Sequence, residues 1–174
     1  MLLCDTGVLL AAGNVKDHAH QTCLRLLRQA DGPLLVPSPV LGEIGYLLQS
    51  RVGPQAEVTF LKSFGDEGFH IAELEDHDIQ RMAELVETYA DLPLGIVDAA
   101  VIAIAERLQL TEIATLDHRH FTVVRPRHTA AFILLPRSDA AGRGVSTRSS
   151  PKPGHHATGT ASCAASVPWS QRPG

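Results

Sequence analysis

The sequence predicts an α/β fold of three layers (α/β/α), with a mostly parallel central sheet of about five strands. Two observations carry this expectation. Short apolar, strand-like runs alternate along the chain with segments of 3.6-residue hydrophobic period. Strands alternating with helices build a parallel sheet covered on both faces. In addition, one segment around residue 100 is apolar nearly all round, as a helix enclosed by other layers must be.

Each element has a local reason. Leu2–Cys4 reads as a short buried strand ending at Asp5. Thr6–Ala12 follows as a helical turn capped by Asp5 or Thr6, whose side-chain oxygens suit the open amides of a helix start. Asp17 reads as the N-cap of a helix to about Ala30, with Cys23, Leu26, Leu27 and Ala30 on one face. Asp31-Gly32-Pro33 stops it. Leu34–Val36 is a second strand. Ser38 then caps a helix with Pro39 at its first position, where a missing amide is tolerated. That helix runs to about Arg51 and carries Glu43. Gly53-Pro54 separates it from a helix over about Gln55–Gly65, and Phe69–Leu74 is a strand.

Asp76–Ala90 is the clearest amphipathic helix. Ile79, Met82, Ala83, Val86 and Ala90 form a stripe expected to face inward, while Arg81, Glu84 and Glu87 face water. Leu92-Pro93-Leu94-Gly95 connects it to the apolar helix Val97–Gln109. Glu112–Leu116 is a strand ending at Asp117, and Ala131–Leu135 is the last strand. From Arg137 onward Gly, Ser, Thr, Ala and Pro dominate without periodicity. Residues 1–136 therefore read as one domain. Residues 137–174 read as a disordered basic tail, too poor in apolar side chains to offset its ordering entropy. The tail is either a regulatory arm or a non-essential read-through of the frame.

Charge and cysteines narrow the class. Residues 1–136 hold 10 Lys and Arg against 18 Asp and Glu, a net of −8, and the tail carries +4. So acidic a body is a poor non-specific nucleic-acid binder. A local patch of Arg51, Arg119, Arg125 and Arg127 is expected to offset this near the site. Cys4, Cys23 and Cys163 are odd in number and scattered, which suits a reducing cytoplasm. No signal peptide or membrane-spanning run is expected.

Four acids stand in distinctive frames: Asp5 in Cys4-Asp5-Thr6-Gly7, Glu43 in Leu41-Gly42-Glu43, Asp98 in Leu92-Pro93-Leu94-Gly95-Ile96-Val97-Asp98-Ala99, and Asp117 in Thr115-Leu116-Asp117-His118-Arg119-His120-Phe121. Each lies within or beside an apolar run, where a carboxylate is costly unless something cationic compensates it. Asp5 and Asp117 follow strands, and the carboxyl ends of strands at a switch point form the ligand crevice of open α/β sheets. Together the four would make an all-oxygen site for Mg²⁺ or Mn²⁺. Structural readings stand beside these. Asp5 and Asp117 can cap turns, Glu43 can reach to solvent, and Asp98 suits the first turn of a helix. Two helix-interior glycines flank Glu43, each costing about 1 kcal/mol, and leave room for close approach of a backbone or metal.

These segments resemble the PIN-domain ribonucleases, and within them the VapC toxins of bacterial toxin–antitoxin pairs. The resemblance covers residues 1 to about 136. It implies a metal-dependent endoribonuclease using Mg²⁺, with Mn²⁺ as a substitute, held by Asp5, Glu43, Asp98 and Asp117. Thr6 and Ser38 are candidates to touch metal-bound water, and are otherwise caps. Asp91 resembles a residue that often precedes Leu-Pro in these toxins, with a supporting role. His118 and Arg119 are candidates to touch RNA phosphate, and His120-Phe121 is expected to be structural. The implied substrates are transfer RNA or the sarcin–ricin loop of ribosomal RNA, and the implied partners are a VapB-type antitoxin and a second copy of the chain. Asp5-Thr6-Gly7 also matches aspartic proteases, but those are β-rich and this chain is not. A PIN scaffold that binds RNA or antitoxin without cutting is the remaining alternative.

Overall fold

In the computed structural model, which describes residues 1–65 and 68–137, five strands form one all-parallel sheet in the order β3-β2-β1-β4-β5. In chain order the elements are β1 (Leu2–Cys4), α1 (Thr6–Gly13), α2 (His20–Gln29), β2 (Leu34–Pro37), α3 (Ser38–Arg51), α4 (Pro54–Leu61), β3 (Phe69–Ala72), α5 (Asp76–Thr88), α6 (Ile96–Arg107), β4 (Glu112–Ala114), α7 (His118–Val123) and β5 (Ile133–Leu135). The chain builds outward from β1 through β2 to β3. It then returns to pair β4 on the other side of β1, with Leu3 opposite Ile113 and Cys4 opposite Ala114. That reversal opens a crevice at the carboxyl ends of β1 and β4.

The three-layer expectation holds, and the sheet is wholly rather than mostly parallel. β1 and β2 are buried at every position. α6 is enclosed from Ala99 to Glu106, as its all-round apolar sequence requires. Among the described residues no helix is long and apolar enough to cross a membrane. The expectation for residues 137–174 lies, apart from Arg137, outside the described residues.

Several boundaries differ. α2 begins at His20, not at Asp17, whose carboxylate instead accepts from the Ala19 amide in the preceding turn. Ser38 is the first residue of α3 rather than its cap, which is Pro37. α4 ends at Leu61, β3 at Ala72 and β4 at Ala114, each shorter than expected. The short helix α7 was not anticipated.

The largest correction concerns α5. Of its expected inner stripe only Met82 is buried, while Ile79 and Val86 are 50% and 40% exposed. The inner face is instead Asp78, Met82 and Leu85. Asp78 is buried because Arg107 Nε on α6 donates to it at 2.9 Å, and Arg81 turns inward to grip Glu106 through Nε (2.7 Å) and Nη2 (3.0 Å). A buried charge is tolerated only when paired in this way. The cleft beside these pairs, about 490 Å³, is lined by Arg81, Glu106, Arg107 and Arg127 among others. Its charges satisfy one another, so it reads as the seam between α5 and α6.

Candidate active site

Asp5 sits where β1 gives way to α1. Its amide donates to the Ala114 carbonyl at 2.9 Å, so the β1–β4 ladder runs up to the acid itself. Asp5 is also the N-cap of α1, with Oδ1 accepting from the Thr6 amide at 2.7 Å. Its other oxygen accepts from the Thr115 hydroxyl at 2.8 Å. Thr115 is fully buried and in turn accepts from the Asp117 amide at 2.9 Å. One hydroxyl thus ties together the acids that follow β1 and β4. Burial pushes the Asp5 carboxyl up to about 6. The hydrogen bonds from Thr115 and Thr6 oppose this, and the negative charges of Asp98 and Glu43 add to it.

Glu43 projects from α3, and its Oε2 accepts the Thr6 hydroxyl. Asp98 stands in the first turn of α6, where Oδ2 accepts from the Gly95 amide at 3.3 Å. Burial also raises the Asp98 carboxyl above its ordinary value; His120 and the Gly95 amide oppose the rise and Asp117 adds to it. Asp117 caps α7 by accepting from the Arg119 amide at 2.9 Å. His120 lies between these two acids, with Nδ1 2.9 Å from Asp98 Oδ2 and 3.2 Å from Asp117 Oδ2. That nitrogen is buried, and its closeness opposes the rise that burial imposes on the Asp98 carboxyl.

Comparison with known proteins gives the family. The PIN domain family model matches residues 2–125. The chain belongs to the PIN-domain family. It is 31% identical over 135 residues to Ribonuclease VapC26 of Mycobacterium tuberculosis, across 78% of this chain and 100% of that protein. This places it among PIN domains of the VapC type. The fold is also similar to the crystal structure of M. tuberculosis VapC20, a sarcin–ricin loop cleaving toxin, at 22% identity and a TM-score of 0.64, covering 69% of this chain and 92% of that one.

This PIN domain brings together the acids singled out in the sequence. Asp5 feels Glu43 and Asp98, and Asp98 feels Asp117. Thr6 joins them, bonded to Asp5 through its amide and to Glu43 through its hydroxyl. Other expectations fare differently. Ser38 lies at the carboxyl end of β2, opening α3. Asp91 is exposed in the turn after α5, and no hydrogen bond or ion pair among the described residues joins it to the four acids. His118 and Arg119 form the first turn of α7, beside Asp117.

The expected basic patch is smaller than foreseen. Arg127 is held by Glu84 at 2.6 Å and its amide by Glu106, on the far part of α6. Arg51 ends α3, about 12 Å along the helix from Glu43. Sequence reasoning missed Thr115 and the position of His120. The local signal for Thr115 was a hydroxyl residue two places before a capping acid, a known turn pattern.

The donors suit a hard divalent cation. They are carboxylate oxygens, and Asp5 and Asp98 are held above their ordinary ionisation range by burial first and by neighbouring acids next, Asp98 and Glu43 for Asp5 and Asp117 for Asp98, a strain that a cation relieves. Among the described residues no three His, Cys, Asp or Glu side chains are already arranged as a coordination cage; the oxygens are turned to Thr6, Thr115 and the Gly95 amide, with His120 close by. Replacing Thr115 by the isosteric valine removes a donor from Asp5 and an acceptor from the Asp117 amide. Urea denaturation of Thr115→Val is expected to show a loss of about 1–3 kcal/mol, the cost of leaving buried polar groups unpaired. An unchanged midpoint would mean that water replaces the hydroxyl.

Proposed function

We propose that this PIN domain is a Mg²⁺-dependent endoribonuclease of the toxin class, with Mn²⁺ able to substitute. It cuts structured RNA, either transfer RNA or the sarcin–ricin loop, acts in the cytoplasm, and is restrained by a VapB-type antitoxin. It works as a homodimer. The reading is supported by the names of its relatives, and above all by one observation: four acids from four separate segments meet at the crevice between β1 and β4.

Asp5, Glu43, Asp98 and Asp117 would hold the cation. When bound, a divalent metal supplies positive charge that activates water and steadies a scissile phosphate. The chain's own groups do the rest. Thr115 and the Thr6 amide fix both oxygens of Asp5. The Thr6 hydroxyl fixes Glu43, with Ser38 a further hydroxyl at the neighbouring strand end. His118 and Arg119 present positive or polar groups at the rim for the RNA backbone.

The test is incubation of the full chain with total bacterial RNA, with Mg²⁺ and then with EDTA. Discrete fragments formed only with metal are the expected result. A catalytically silent PIN scaffold is the second reading. Intact RNA that is nevertheless retarded in a gel by the folded, metal-loaded protein would select it.

A further inference from the structure

The acidic body poses a problem for any RNA-handling reading. With a net charge of −8 over residues 1–136, and with Arg127 and Arg107 committed to internal ion pairs, backbone attraction is weak. Affinity has to come from contacts that do not depend on net charge. Stacking of bases on aromatic rings is such a contact, and it is the mode by which unpaired nucleotides are commonly held.

α3 offers one aromatic ring in the required place. Tyr46 is 69% exposed, although it follows Glu43 by only one turn. Its hydroxyl has no hydrogen-bond partner among the described residues. Helical side chains lean toward the N-terminus, so a residue three places on covers the turn before its own Cα. Tyr46 therefore stands one turn on from Glu43 on the exposed side of α3, with the space beside Gly42 left open.

The glycine beside Glu43 supplies a second, independent observation. A Cβ at Gly42 would meet nothing within 4 Å, so no packing inside the chain calls for glycine there. Glycine in a helix interior is nonetheless destabilising. The open space at Gly42 leaves the helix backbone accessible at the edge of the acid cluster.

We infer that Tyr46 is the platform on which an unpaired nucleobase of the RNA substrate stacks, with the adjoining backbone passing over Gly42 toward the acids. This deepens the ribonuclease reading and rests on it. It names Tyr46 as a residue that positions the RNA beside the acids.

The experiment uses the full chain carrying Asp98→Asn, so that RNA is bound and not cut, and a fluorescein-labelled RNA hairpin with a seven-nucleotide loop as probe. Tyr46→Ala is expected to weaken binding by roughly five- to a hundredfold, the span of base–aromatic stacking free energies. Tyr46→Phe, which keeps the ring, restores most of the affinity. Gly42→Ala separates binding from folding: it raises Tm by about 2–4 °C and yet weakens binding. Val86→Ala, another exposed apolar position, on α5, serves as the control and leaves affinity unchanged. Wild-type affinity in Tyr46→Ala overturns the inference, whatever Gly42→Ala does. So does a loss in Tyr46→Ala confined to binding of a protein partner, with RNA affinity retained. A parent chain that neither binds nor cuts RNA overturns the inference together with the function beneath it, whereas a parent that cuts while Tyr46→Ala binds normally overturns the inference alone.

Discussion

Asp98→Asn is expected to lose RNA cleavage by about a hundredfold or more while the fold remains at least as stable as the parent. The loss corresponds to several kcal/mol of transition-state stabilisation by a metal site, at about 1.4 kcal/mol per tenfold. The retained stability has a different origin. Burial holds the Asp98 carboxyl above its ordinary value, so its charged form is disfavoured in the folded chain. An amide of the same shape removes that charge and keeps an oxygen for the Gly95 amide. Cleavage assays and urea denaturation on the same preparation decide the matter. If the mutant unfolds, Asp98 is a structural helix-start residue and its assignment to the site fails.

Asp5→Asn is expected to stabilise the metal-free protein at pH 7 by up to about 2–3 kcal/mol, the free energy carried by the shift from 3.8 to about 6, less what is lost because an amide keeps only one of the two oxygens that accept from Thr6 and Thr115. The sign follows from linkage. A carboxyl with a folded pKa above its unfolded value binds its proton more tightly when folded. Its contribution to stability is fully present below about pH 3.8 and is lost as pH rises through about 6. The difference in stability between Asp5→Asn and parent should therefore widen between pH 4 and pH 7. Mg²⁺ should stabilise the parent at pH 7, since a ligand that binds only the folded state adds to its stability, and should do so far less for Asp5→Asn. A difference independent of pH would mean that Asp5 is not held near 6.

What could be read in advance, and what could not, follows from where each residue finds its partners. Asp5, Asp98 and Asp117 were visible because each sits in a local frame: a strand end, a helix start, a capped turn. The alternation of strands and helices was consistent with their convergence, since it puts the strand ends before Asp5 and Asp117 on one edge of the sheet, but did not by itself bring Glu43 and Asp98 there. The face of α5 was misread because Asp78 and Arg81 look like solvent-facing residues until Arg107 and Glu106, 29 and 25 residues away, pair with them. Ile79 and Val86 were displaced outward as a result. Thr115 and His120 were missed for a related reason. Their partners, Asp5 and Asp98, lie 110 and 22 positions back along the chain. The six-residue α7 is shorter than two helical turns, so it shows no hydrophobic period at all.

The hydrogen bond between Thr115 and Asp5 spans 110 residues. Contacts of such separation form late, because closing the intervening chain costs entropy that nothing local repays. A chain emerging from the ribosome presents Asp5 first, then Glu43 and Asp98, yet none of them faces its full set of neighbours until β4 has been made and inserted beside β1. Order of synthesis therefore sets when the proposed site can exist: its four acids come together only after nearly all of residues 1–117 have been made.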